Sequence, residues 1–129
     1  MKKEDIKNEE IEVVVSAEEQ AQIDAVENIK RKYASDTTKN VKKVYYIEVQ
    51  DEDDEDNWVG AYFGKPTLKL FSQFSKNASK DRINALKVLL VNLFLEGDKR
   101  LIEDDDYFLS AMSQIEDVVN VQQARIKKF

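Results

Sequence analysis

The stretch Lys43–Pro66, KVYYIEVQDEDDEDNWVGAYFGKP, decides how the chain is read, because it alone carries the period-two pattern of sheet between segments of helical spacing. Tyr45, Ile47 and Val49 share one face of an extended strand. Val59, Ala61 and Phe63 do the same on a return strand, so the pattern predicts one β-hairpin. Its other face carries Val44 and Tyr46 on the first strand and Trp58, Gly60 and Tyr62 on the second. Either an amino-terminal helix covers that face, or it is open to a partner docking on aromatic anchors. Tyr46, Trp58 and Tyr62 are the candidate contacts in the second case.

The two strands are joined by six consecutive acids, Asp51–Asp56, and Asn57. Mutual repulsion predicts a loop extended into water, which also discourages edge-to-edge strand pairing. A calcium loop of the EF-hand kind needs glycine at its sixth position and glutamate at its twelfth. Counted from Asp51 these positions hold Asp56 and Tyr62, so no metal is expected there. The same six acids account for the whole net charge of -6. The acidity is local, and no basic stripe with interleaved aromatics accompanies it, so nucleic-acid binding is not expected.

Outward from the hairpin, helical patterns lie on both sides. Ser16-Ala17-Glu18-Glu19 matches a capping box, and Ile23, Val26, Ile29 and Tyr33 follow as one apolar stripe. Before it, Ile11–Val15, IEVVV, is rich in β-branched residues and is a candidate third strand beside the hairpin. Residues Met1–Glu10 mix both charge signs and are expected to form a mobile tail ahead of a single domain, residues 11–129.

After the hairpin, Pro66 suits the first position of a helix whose buried stripe is Leu68, Phe71, Phe74 and Ala78. Ser79-Lys80-Asp81 breaks that helix and caps the next. There Ile83, Leu86, Leu89, Leu90, Leu93 and Phe94 face inward, with Val88 and Val91 widening the apolar face. This helix is the expected centre of the core and should close at Glu96-Gly97-Asp98. Asp104-Asp105-Asp106 supplies a cap for the last helix, expected from about Asp105 to Lys127. Its seam of Phe108, Met112, Ile115, Val119, Gln122 and Ile126 is heptad-like, and Arg125, Lys127 and Lys128 suit its last turn. Val118 and Val121 lie beside the seam, so the stripe is wider than one neighbour needs. They are candidate partner contacts, and self-association is open. The expected core is Ile23, Val26, Ile47, Phe63, Phe71, Leu86, Leu90, Phe94, Phe108, Met112 and Ile115. The fold class is α+β: a small antiparallel hairpin, with room for a third strand, on about four helices.

Function classes narrow by subtraction. Cysteine and histidine are both absent, which excludes thiolate chemistry, disulfides and the usual general base near neutral pH. No serine stands in a Gly-x-Ser-x-Gly elbow, and neither catalytic nor cofactor-binding residues are found. MKKEDIKNEE lacks the apolar region of a secretory signal, and the apolar run Val88–Val91 is far too short to span a bilayer. No membrane partner is expected.

The order of features from Lys43 to Ala124 resembles the small tail assembly chaperones of tailed bacteriophages. The shared parts are an aromatic-rich hairpin with an aromatic-x-x-Pro step into a helix, a leucine-rich helix closing with Leu-Glu-Gly-Asp, and an acid-capped Phe-Leu-Ser-Ala helix. They cover about two-thirds of the chain, and residues 1–40 stand outside them. The resemblance implies a non-catalytic protein of virion morphogenesis that binds the tape measure protein in the host cytoplasm until tail tube subunits replace it. Two other classes stay open. One is a structural accessory protein of the head, connector or tail, which would reside in the virion and bind another virion subunit. The other is an inhibitor of a host protein that uses the acidic loop as bait.

Overall fold

The computed structural model describes residues 16–119 and 124–129. Among them the element order is α1 (Ala17–Lys32), β1 (Asn40–Gln50), β2 (Trp58–Lys65), α2 (Leu68–Ala78), α3 (Arg82–Leu93), β3 (Phe94–Gly97), α4 (Arg100–Glu103) and α5 (Asp105–Val119). The fold is α+β, with an antiparallel sheet ordered β1-β2-β3. The hairpin has the expected register, with Ile47 opposite Ala61 and Val49 opposite Val59. Its inner face meets α3, α4 and α5 in one cluster that includes Ile47, Phe63, Leu86, Leu90, Phe108 and Ile115. The alternation read in the sequence therefore selects the buried face, and helix α3 is at its centre with Leu86, Leu89, Leu90 and Leu93 all buried.

The third strand differs from expectation. Ile11–Val15 lies outside the described residues, while α3 ends four residues early and its continuation, Phe94-Leu95-Glu96-Gly97, pairs with β2. Phe94 takes an extended backbone, φ -59 and ψ 130, and its ring meets Phe63 edge-on at 5.7 Å. Two features stop the helix there. The Lys39 ammonium donates to the Asn92 carbonyl at 2.5 Å and to the Phe94 carbonyl at 3.4 Å, satisfying acceptors at the carboxy end. Gly97, with φ +130, pairs with Ala61 so closely that a Cβ there would sit 2.5 Å from the Ala61 Cα. Only glycine admits that approach.

Other boundaries shift for local reasons. Thr67 caps α2, its hydroxyl accepting from the Leu70 N–H, so Pro66 lies ahead of the helix and not at its first position. The helix rests on α3 through Leu70 and Phe74, so Leu68 is 86% exposed and Phe71 only half-buried. Ile83 lies in the first turn of α3, beyond the end of the main cluster, and is 54% exposed. Val88 and Val91 are also half-exposed, so the wide apolar face of α3 is only partly covered. The caps at Ser16, Asp81 and Asp104 form as predicted: Ser16 accepts from the Glu19 N–H, Asp81 from Asn84, and Asp104 from Asp106 and Tyr107. Helix α5 is described to Val119, and residues 124–129 are not helical, with Ile126 exposed. The predicted seam thus does not run on to Ile126, and the cations Arg125, Lys127 and Lys128 do not occupy a last helical turn.

Between β3 and α4, Asp98 holds the Arg100 guanidinium through Nε at 3.0 Å and Nη2 at 2.7 Å. Arg100 holds the Asp98 carboxyl below its usual range, chiefly through these hydrogen bonds. A lowered folded value means stability present above the unfolded pKa and lost as pH falls through the folded one. We expect Asp98→Asn to cost about 1 kcal/mol or less at pH 7, since the pair is partly exposed. That difference from the wild type should be smaller at pH 3, below the ordinary aspartate value of about 3.9, than at pH 7. Urea midpoints at the two pH values test this, and an Asp98→Asn deficit that is undiminished in acid would contradict it.

Candidate functional site

Two surfaces carry apolar side chains without full cover. The first is the outer face of the sheet. Helix α1 packs against it. At its carboxy end the Tyr33 hydroxyl donates to the Leu95 carbonyl at 3.2 Å and Lys32 pairs with Glu96 at 3.1 Å, both on β3. Nearer its amino end, Ile23 and Val26 line a groove of about 510 Å³ together with Val44 and Tyr46 of β1 and Tyr62 of β2. Burial fades along the helix accordingly, from Ile29 at 0% exposed, through half-buried Val26, to Ile23 at 46%. The expectation of Ile23 as core thus fails because the amino half of α1 leaves an open groove over Val44, Tyr46 and Tyr62, which Ile23 lines without being covered. Cover by α1 and an open aromatic face, the two alternatives of the sequence, both hold at different points along one helix.

The floor of this groove is a tyrosine pair. Tyr46 and Tyr62 are register partners, their rings 4.8 Å apart and tilted at 48°. The Tyr46 ring lies over Gly60, where any Cβ would overlap its hydroxyl, so the missing side chain makes the notch that the ring fills. Burial raises the pKa of both phenols, and Glu48 adds to this at Tyr46. Both rings therefore present neutral hydroxyls over the physiological range. Trp58 shares their face but lies beyond Gly60 and does not line the groove; it is 55% exposed.

The second surface lies between α3 and α5. Ile83 and Leu109, 54% and 50% exposed, form a ridge with a hollow on either side. One hollow, about 410 Å³, is lined by Leu86 and Met112; the other, about 440 Å³, by Lys87, Asp105 and Phe108. Lys87 pairs with Asp105 at 2.6 Å and lies 5.9 Å from the Phe108 ring centre. That ammonium lowers the Asp105 pKa, first through its hydrogen bond and then through its charge. The edge of the patch is thus polar and satisfied, while its middle is apolar.

The acidic loop is more ordered than repulsion alone predicts. Asp51 accepts from the Asp53 N–H and Asp54 from the Asp56 N–H, and the Asp51 N–H donates to the Asn57 carbonyl at 2.8 Å. The Glu52 N–H donates to the Tyr107 hydroxyl at 3.2 Å, which fastens the loop to the start of α5. There Glu52 faces Asp104 and Asp106, and its carboxyl is raised by lost hydration and then by those charges. Among the described residues no group of three carboxylates converges as metal ligands would. No described helix is long and apolar enough to cross a membrane.

Of the five predicted contact residues, the structure brings Tyr46 and Tyr62 together and leaves Trp58 apart. The side chains of Val118 and Val121 lie outside the described residues. Sequence reasoning missed the Ile83–Leu109 ridge, placing Ile83 in the core and overlooking Leu109. The available signal was that Leu109 is apolar yet off the Phe108–Met112–Ile115 seam, which in a helix of one buried stripe calls for a neighbour. Comparison with protein-family models, curated proteins and solved structures finds no match to this chain.

Proposed function

We propose that this chain is a non-catalytic protein of bacteriophage morphogenesis that holds an amphipathic helix of the tape measure protein on its α3–α5 face, in the manner of a tail assembly chaperone. The observation that carries this reading is the ridge of Ile83 and Leu109 between two hollows. A helix laid along it fits its apolar side chains into both hollows at once, which is the helix-in-groove mode of recognition. The resemblance from Lys43 to Ala124 supplies the class of partner. The acidic loop, pinned at the start of α5, keeps a loaded complex soluble in the host cytoplasm.

The test is co-expression with the tape measure protein of the same genome. Ile83→Glu with Leu109→Glu should abolish co-purification while the unfolding free energy moves by less than about 1 kcal/mol, because both side chains already stand half in water. Undiminished co-purification by the double variant would overturn the proposed face and move attention to Trp58 and Tyr62. Global unfolding would show the ridge to be part of the core.

A further inference from the structure

We propose that the acidic tip of the hairpin, Asp51–Asn57, is a pH-responsive strap on the start of α5, held more firmly in mild acid than at neutral pH. The tip keeps its shape by itself. The Asp51 N–H donates to the Asn57 carbonyl at 2.8 Å and the Gln50 side-chain amide to the Glu55 carbonyl at 2.7 Å, while Asp51 and Asp54 accept from the Asp53 and Asp56 N–H groups. All these bonds lie within residues 50–57. They hold equally well whether the tip rests on the body of the protein or stands away from it.

Among the described residues two polar contacts join the tip to the body. The Glu52 N–H donates to the Tyr107 hydroxyl at 3.2 Å, and the Asp51 carboxylate lies 3.9 Å from the Arg100 guanidinium. The second is the weaker, because Asp98 already engages Arg100 at 2.7 Å. Arg100 also lies over the Tyr107 ring, 5.0 Å from its centre, and donates to its hydroxyl at 3.4 Å. The Tyr107 hydroxyl is thus where the strap closes, and its side chain is buried in the core.

Charge works against closure. Glu52 faces Asp106 and Asp104 from the start of α5, and Asp53 and Asp51 from its own loop; of the neighbouring acids, Asp105 is paired with Lys87. Lost hydration and then these like charges raise the Glu52 carboxyl above its ordinary value. A carboxyl raised in the closed state opposes closure while ionised and ceases to do so as pH falls through its raised value. Asp98 is lowered, so Arg100 keeps its partner over the same range. Between those two values the repulsion fades while the fastening stays intact.

The experiment is amide exchange of the full chain by NMR, with each rate divided by the unstructured rate at the same pH. Protection of the Glu52 amide is expected to rise at least about threefold from about pH 7 to about pH 4.5. Glu52→Gln, which keeps the length and removes the charge, should show the higher protection already at neutral pH. Tyr107→Phe, which keeps the ring and removes the acceptor, should lose that protection at both pH values while the α3 amides stay protected. A Glu52 amide no better protected in acid overturns the proposal, as does a Glu52→Gln chain that matches the wild type at neutral pH or a Tyr107→Phe chain that keeps the protection. Should Tyr107→Phe also release the α3 amides, the Glu52→Gln comparison decides.

Discussion

Leu90→Ala is expected to lower the unfolding free energy by about 2 to 5 kcal/mol, a large fraction of what a domain of this size has. Leu90 is 0% exposed and belongs to the cluster in which the inner sheet face meets α3, α4 and α5. Truncation removes most of the side chain and leaves a cavity. The walls of that cavity come from separate elements, each held by its own hydrogen bonds and contacts, so no single shift closes it. The loss should appear in urea melts as a midpoint lower by about 1 M or more, with an unchanged slope. Val88→Ala, two residues away on the same helix but 51% exposed, is the control and should cost far less. A Leu90→Ala loss below about 0.5 kcal/mol would mean that α3 is peripheral.

Gly97→Ala is expected to cost about 2 to 3 kcal/mol, for a different reason. The backbone there has φ +130, a conformation that side chains oppose, and the added Cβ meets the Ala61 Cα at 2.5 Å and the Gly60 carbonyl oxygen at 2.7 Å. Main chain cannot swing aside as a side chain can, so β3 must separate from β2. That strains the bond from the Asp98 N–H to the Gly60 carbonyl, 2.9 Å long. Gly60→Ala is the informative comparison, because the atoms nearest its Cβ belong to the Tyr46 ring, a side chain that can rotate away. Equal losses in the two variants, measured by denaturant melts, would contradict this account.

What was legible in the sequence was whatever depends on near neighbours. The alternation of Ile47, Val49, Val59, Ala61 and Phe63 gave strand, face and register together, since one slip would expose the whole set. The caps at Ser16, Asp81 and Asp104 were legible because hydroxyl or carboxylate and N–H lie within three residues. Phe94–Gly97 was misread because Phe94 and Leu95 extend the apolar pattern of α3. What turns them into strand is a distant partner, β2, and a lysine more than fifty residues away in sequence. Ile23, Leu68 and Ile83 failed together for one reason. Periodicity shows which residues share a face, but how far a neighbour runs along that face is settled by the crossing angle and end points of another element. The groove at Tyr46 and the ridge at Ile83 are both places where a neighbour stops short.

The direct passage from α3 into β3 has a mechanical consequence. Phe94 is at once the residue that closes the helix and the first of the strand, with no intervening loop to take up slack. A load applied at Ile83, in the first turn of α3, is carried along a stiff rod to Phe94 and from there into the ladder with β2. The residues that resist it are Gly97, seated against Ala61, and Lys39, anchored on the end of the rod. Any pull on the ridge at Ile83 is therefore passed to the sheet through the α3–β3 junction.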